Sequence, residues 1–119
     1  MKNLNLSLIN SELEKFAKDR DWDQFHSVKN LTMALSVETA ELVEIFQWLN
    51  EEQSARVKDN PELMSKVQDE VADIFVYLLR IIGKTNIDLE SAVLQKMEKN
   101  AAKYPIELAK GNAKKYNEY

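Results

Sequence analysis

With 119 residues, 45% of them apolar, and a formal charge of −4, the chain has the length for one compact domain with a core and too little for two. The absence of cysteine excludes a disulfide framework, a thiolate metal site and a cysteine nucleophile, and fits a reducing, cytoplasmic setting. The acidic balance, with a pI of about 5.1, argues against a surface for duplex nucleic acid, which needs clustered Lys and Arg to displace counterions.

Two Gly and two Pro among many Leu, Glu, Lys and Ala predict an all-α fold of long helices and short connections. The start, Met1-Lys2-Asn3-Leu4-Asn5-Leu6, lacks a signal peptide's continuous apolar region, and no run approaches the roughly 18 residues of a spanning helix, so no membrane insertion is expected. A first helix is predicted over about Leu6 to Lys18, with Leu6, Ile9, Leu13 and Phe16 on one stripe, breaking at Asp19-Arg20-Asp21. Trp22, Phe25 and His26 follow on a connecting stretch. A second helix spans about Ser27 to Leu49, with Ser27 as a candidate N-cap.

Residues 50–59 form a polar linker with room for a short helix, and Asn60-Pro61-Glu62 reads as an N-cap followed by Pro at the first helical position. The third helix extends to about Ile82, where Gly83 supplies a stop. Asp88 caps a fourth helix to about Lys103, ended by Tyr104-Pro105. The expected architecture is a four-helix bundle over residues 1–108. Residues 109–119 form a flexible C-terminal tail whose Lys110-Gly111-Asn112-Ala113-Lys114-Lys115 stretch looks solvated.

Four carboxylates break this pattern. At roughly 100° per residue, Glu38 falls with Leu31, Leu35, Leu42, Ile45 and Leu49, and Glu41 falls beside Ala34 and Trp48. The same projection sets Glu70 and Asp73 among Leu63, Val67, Ile74, Tyr77 and Ile81. Acids at i, i+3 are common on solvated helix faces, but these interrupt apolar stripes, whereas Glu44 falls on the polar side. Ionised carboxylates in a core need compensation, and two neighbouring helices can present four to one hard cation. Oxygen donors without imidazole or thiolate favour Mg²⁺, with Mn²⁺ as a substitute.

The third helix has almost no polar side between Val71 and Ile82. A helix that is apolar all round has to be covered all round, so either it is central in the monomer or subunits pack on one another. The second reading predicts a homodimer or homotetramer with a helical dimer interface.

Glu38-x-x-Glu41, 28 intervening residues and Glu70-x-x-Asp73 resemble the metal motif of the all-α nucleoside triphosphate pyrophosphohydrolases, the MazG-like superfamily. The segments from Arg20 to His26, Phe46-Gln47-Trp48 and the run from Lys96 to Pro105 look like its dCTP pyrophosphatase branch, and the resemblance covers about residues 10 to 108. It implies hydrolysis of a nucleoside triphosphate between the α and β phosphates, with dCTP or modified dCTP as substrate, in nucleotide-pool house-cleaning. Glu41 or Glu38 would orient or deprotonate the attacking water. Glu38, Glu41, Glu70 and Asp73 would hold the metal.

The same resemblance implies that Trp22 and Trp48 flank the base, that Tyr77 and Asn100 hold the nucleoside, and that Lys96, Lys103 and Tyr104 meet phosphates; aromatic faces and Lys charges suit those tasks. His26, lacking an imidazole partner, reads as a pocket hydrogen-bonder rather than a metal ligand. Two positions depart from the pattern. Val37 stands where some members carry a further Glu, which bears on metal count, and Leu13 stands where close dCTP pyrophosphatases place a His near the base. A broad-specificity NTP/dNTP pyrophosphohydrolase and a non-enzymatic helical dimerisation module are the competing readings. A di-iron bundle would need two Glu-x-x-His motifs, and neither acidic pair has one.

Overall fold

The computed structural model describes residues 1–118 and divides the chain into two compact units, Met1–Asn86 and Ile87–Tyr119. The described residues are helical with no strand. In the first unit, α1 (Leu6–Asp19) is followed by a 3₁₀ turn (Asp23–Phe25), α2 (Val28–Phe46), the short α3 (Glu51–Ala55), a second 3₁₀ turn (Val57–Asp59) and α4 (Pro61–Thr85). The second unit holds α5 (Leu89–Lys103), the single turn α6 (Ile106–Ala109) and a last 3₁₀ turn (Tyr116–Glu118). The expected bundle of four helices is thus corrected to six among the described residues, four long and two short. The short ones arise where Asn50 and Pro105 restart the chain after a turn.

Local chemistry accounts for the helix starts. Asn5, Ser27, Asn60 and Asp88 each accept a hydrogen bond from a backbone N–H in the first turn, relieving donors that have no partner inside the helix. Asn50 and Gln53 form a reciprocal capping box that starts α3. Because the chain turns there, α2 ends at Phe46 rather than reaching Leu49, and Leu49 N–H donates to the Phe46 carbonyl.

Gly83 does not stop the third long helix. α4 passes through it to Thr85 and is closed by Asn86 in the left-handed region, at φ 55°. What Gly83 provides is close approach, because a Cβ there would lie 3.3 Å from Asn10 Oδ1 on α1.

α2 pairs extensively with α4, and α1 packs on α4. Ala17, Leu31 and Leu79, one from each of these helices, are the buried apolar residues among those described. Many apolar side chains stay exposed, including Met33, Val37 and Val43 on α2, Val71 and Leu78 on α4, and Val93, Leu94 and Met97 on α5. No described helix is long and apolar enough to cross a membrane. In the second unit, Tyr116 stacks edge-on to Tyr104 and lies under the Lys103 ammonium, so the expected tail is folded in part; Tyr119 lies outside the described residues.

Candidate active site

The α2–α4 pairing brings the acidic pairs together. One ligand oxygen from each of Glu38, Glu41 and Glu70 falls within 4.8 Å of the others. Asp73, one turn beyond Glu70, is outside that trio, but its negative charge reaches both Glu38 and Glu70. Burial is the main force raising the Glu38 carboxyl to about 7, helped by the neighbouring carboxyl groups of Glu70 and Glu41. Burial raises Glu70 as well, again with Glu41 and Asp73 adding repulsion.

These carboxylates fit a hard divalent cation. The donor set is all oxygen, and Oε2 of Glu38 and of Glu70 are buried without a hydrogen-bond partner. Such orphaned acceptors beside like charges are costly until a cation or proton joins them.

Beside the acids, the first unit encloses a cavity of about 330 Å³. Leu13, Trp22, His26, Asp73, Tyr77 and Arg80 are among its lining residues, so Asp73 belongs to both the acidic cluster's surroundings and the cavity. Trp22 is fixed edge-on against Phe16 and His26, with ring centroids 5.7 and 6.4 Å away. The Tyr77 hydroxyl is pushed above its ordinary value by burial and by the charges of Glu38 and Asp73, so it remains a proton donor at neutral pH. Glu41 and Glu70 also line a more open depression together with Lys66.

The cavity also contains a buried cation that the sequence reading did not single out. Arg80 is only 7% exposed; its Nη2 donates to Asp23 Oδ1 at 2.9 Å and approaches His26 Nδ1 at 3.4 Å. Lys84 donates to the same Asp23 oxygen at 2.7 Å, and these two cations hold the Asp23 carboxyl below its usual range. His26 is shifted down, chiefly by burial and then by the Arg80 charge, which keeps its ring neutral and its Nδ1 available as an acceptor. A signal for Arg80 existed: it follows Asp73 and Tyr77 at i+7 and i+3 on the same stripe of α4.

Of the other residues singled out from the sequence, Trp48 sits in the turn after α2, is 87% exposed and is not among the cavity's lining residues. Lys96, Asn100 and Lys103 lie on α5 and Tyr104 caps it, all in the second unit.

The MazG-like family matches residues 33–119. Two curated relatives are the dCTP pyrophosphatase 1 of Bos taurus, 40% identical over 104 residues, and that of Homo sapiens, 38% identical over 104 residues. Each alignment covers 87% of this chain but only 62% and 61% of those relatives, so the chain spans about three fifths of their length. A crystal structure of a pyrophosphatase from Archaeoglobus fulgidus superposes with a TM-score of 0.78 at 35% identity, covering 88% of this chain and 96% of that one.

Proposed function

The chain belongs to the MazG-like family, and from that premise we propose that it is a Mg²⁺-dependent nucleoside triphosphate pyrophosphohydrolase acting on dCTP or modified dCTP in nucleotide-pool house-cleaning. The observation that carries this reading is the convergence of Glu38, Glu41 and Glu70 from two helices within 4.8 Å, beside an aromatic-lined cavity that shares Asp73. The names of the relatives, dCTP pyrophosphatase 1 and pyrophosphatase, support it.

When bound, the divalent ion supplies positive charge to the phosphate oxygens as the anhydride breaks. The chain supplies the rest. Glu38, Glu41, Glu70 and Asp73 would hold the cation, and Glu41 or Glu38 would orient the attacking water and take its proton. Water attacks the α-phosphorus, the bond to the α–β bridging oxygen breaks, and diphosphate departs, leaving the nucleoside monophosphate. Trp22 stacks on the base, Tyr77 holds the nucleoside and His26 donates or accepts within the cavity. The resemblance to the family assigns Trp48 to the base, Asn100 to the nucleoside and Lys96, Lys103 and Tyr104 to the phosphates. The expected assembly is a homodimer or homotetramer.

Leu13 lines the cavity without offering a polar atom, which favours a second reading of broad base tolerance. Incubating the purified protein with each dNTP and NTP plus Mg²⁺, with product identification, tests both. Diphosphate and dCMP from dCTP is the expected result; similar rates for all bases give the broad reading. Orthophosphate as the product, or no turnover of any nucleotide, overturns both, and a fully active Glu41→Gln variant overturns the site.

A further inference from the structure

We infer that Arg80 is the residue that selects the base, donating hydrogen bonds to an edge that carries two adjacent acceptors. The inference rests on the nucleotide-site reading above and follows from how this guanidinium is held. A guanidinium has five N–H donors and no acceptor, and burying it is costly unless those donors are met. Here both hydrogen-bond contacts, to Asp23 and His26, run through Nη2, while Nε is buried with no partner at all. The counter-charge is also incomplete. The single Asp23 oxygen that holds Arg80 also holds Lys84, and the Asp23 side chain is 62% exposed, so solvent weakens its share.

Arg80 therefore brings unspent donor capacity to the wall of a cavity whose other lining residues include Leu13, Trp22, His26, Asp73 and Tyr77. Rings supply stacking that every base satisfies equally, so they cannot choose among bases. A fork of donors can. Cytosine offers O2 beside N3, and guanine offers O6 beside N7, whereas adenine, thymine and uracil set a donor next to each acceptor on the corresponding edges. Two donors from one planar group meet the first pair of bases and clash with a hydrogen on the others. Asp23 and His26 fix the plane of the guanidinium, so they are positioning residues for this contact.

The alternative role for Arg80 is purely structural, tying the 3₁₀ turn at Asp23 to α4, and a loss of stability alone would not separate the two. The discriminating readout is the ratio of affinities among nucleosides, which lack phosphates and need no cation. Deoxycytidine, deoxyguanosine, deoxyadenosine and thymidine are titrated into the full chain in cation-free buffer by calorimetry. The same titrations are run on Arg80→Lys, which keeps a cation for Asp23 but loses the fork, and on Arg80→Met, with circular dichroism to confirm retained helix. Wild type is expected to prefer the cytosine and guanine nucleosides by about tenfold, and both variants to fall within about twofold across all four. Either helical variant keeping the wild-type preference overturns the inference, as does a wild type that binds no nucleoside or binds all four alike. A base preference that depends on Arg80, in a protein that turns over no triphosphate, would sink the hydrolase reading and leave this one standing.

Discussion

Glu38 on α2 and Glu70 on α4 bring carboxylate oxygens within 4.8 Å of each other, and each keeps a buried Oε2 with no hydrogen-bond partner. Burial and neighbouring acids carry Glu38 from 4.5 to about 7, so without a cation its folded form favours the protonated carboxyl at mildly acidic pH. A carboxyl raised on folding contributes stability that is complete below its unfolded value and is lost as pH rises through the folded one. The metal-free protein is therefore expected to melt at progressively lower temperature between about pH 4.5 and 7. Because Mg²⁺ binds the ionised form, its stabilising shift should be larger at pH 8 than at pH 6. Thermal melts with EDTA or Mg²⁺ across this range check both signs; a metal-free melting temperature that climbs steadily from pH 5 to 8 contradicts the account.

Neutralising one member of the cluster should separate stability from function. Glu38→Gln removes a like charge beside Glu41 and Glu70, so the metal-free variant is expected to melt higher than wild type at pH 8 and to lose most of its Mg²⁺-induced shift. Turnover should drop at least about a hundredfold, because second-best geometry cannot replace a ligand that also orients the reactants. Paired melting curves and steady-state assays measure this. A variant that is less stable without metal yet responds fully to Mg²⁺ would show that Glu38 is not part of the grip.

Asp23→Asn tests the other charged cluster. Asp23 accepts from both Arg80 and Lys84, and its depressed carboxyl contributes stability present above the unfolded value of 3.8 and lost as pH falls through the lower folded value. The variant is expected to melt below wild type at pH 7, with the gap closing as the solution is acidified below about pH 3.8. Melting temperatures for the two proteins from pH 7 to pH 2 read this directly, and a gap that stays constant across the range would locate the effect elsewhere.

The acidic pairs were legible in the sequence because a charge on an apolar stripe is a local contradiction, and a 3.6-residue period is enough to expose it. Helix starts were legible for a similar reason, since Ser27, Asn60-Pro61 and Asp88 act within one turn of themselves. Arg80 was hidden by contrast. An arginine in an apolar helix ordinarily reads as a side chain whose stem is covered and whose head reaches water, and only the arrival of Asp23 from 57 residues away shows that its head stays inside. Gly83 misled in the same way: its role depends on Asn10, a partner on another helix, and no neighbour in the chain distinguishes close approach from a helix stop.

That account of Gly83 can be measured. Alanine removes the propensity cost of glycine in a helix interior, about 1 kcal/mol, while its Cβ would sit 3.3 Å from Asn10 Oδ1. Asn10 Oδ1 has no hydrogen-bond partner to lose, so the side chain can yield by the few tenths of an ångström required. Gly83→Ala is therefore expected to be neutral or to stabilise by up to about 1 kcal/mol, and Gly83→Leu to destabilise by about 1–3 kcal/mol as α1 is forced away. Urea unfolding of both variants checks the order, and a Leu variant as stable as the Ala variant would mean that α1 does not press on this position.

The exposed apolar side chains bear on assembly. A protomer whose buried apolar residues among those described are Ala17, Leu31 and Leu79 has little core for its length, while Met33, Val37, Val71, Val93, Leu94 and Met97 are each between 48% and 60% exposed. Leaving so many in water forgoes burial worth about 25 cal/mol per Å², and a second copy is the simplest cover. Sedimentation at micromolar concentration should give a whole-number multiple of 13.8 kDa, at least two. Leu94→Glu combined with Met97→Glu adds four carboxylates to every dimer. If α5 contributes to the interface, the pair should push the assembly toward monomer and lower its melting temperature; if α2 and α4 form it alone, the assembly should survive. A wild-type monomer that keeps full helicity and cooperative unfolding would show that these side chains are stable in water and that no second copy covers them.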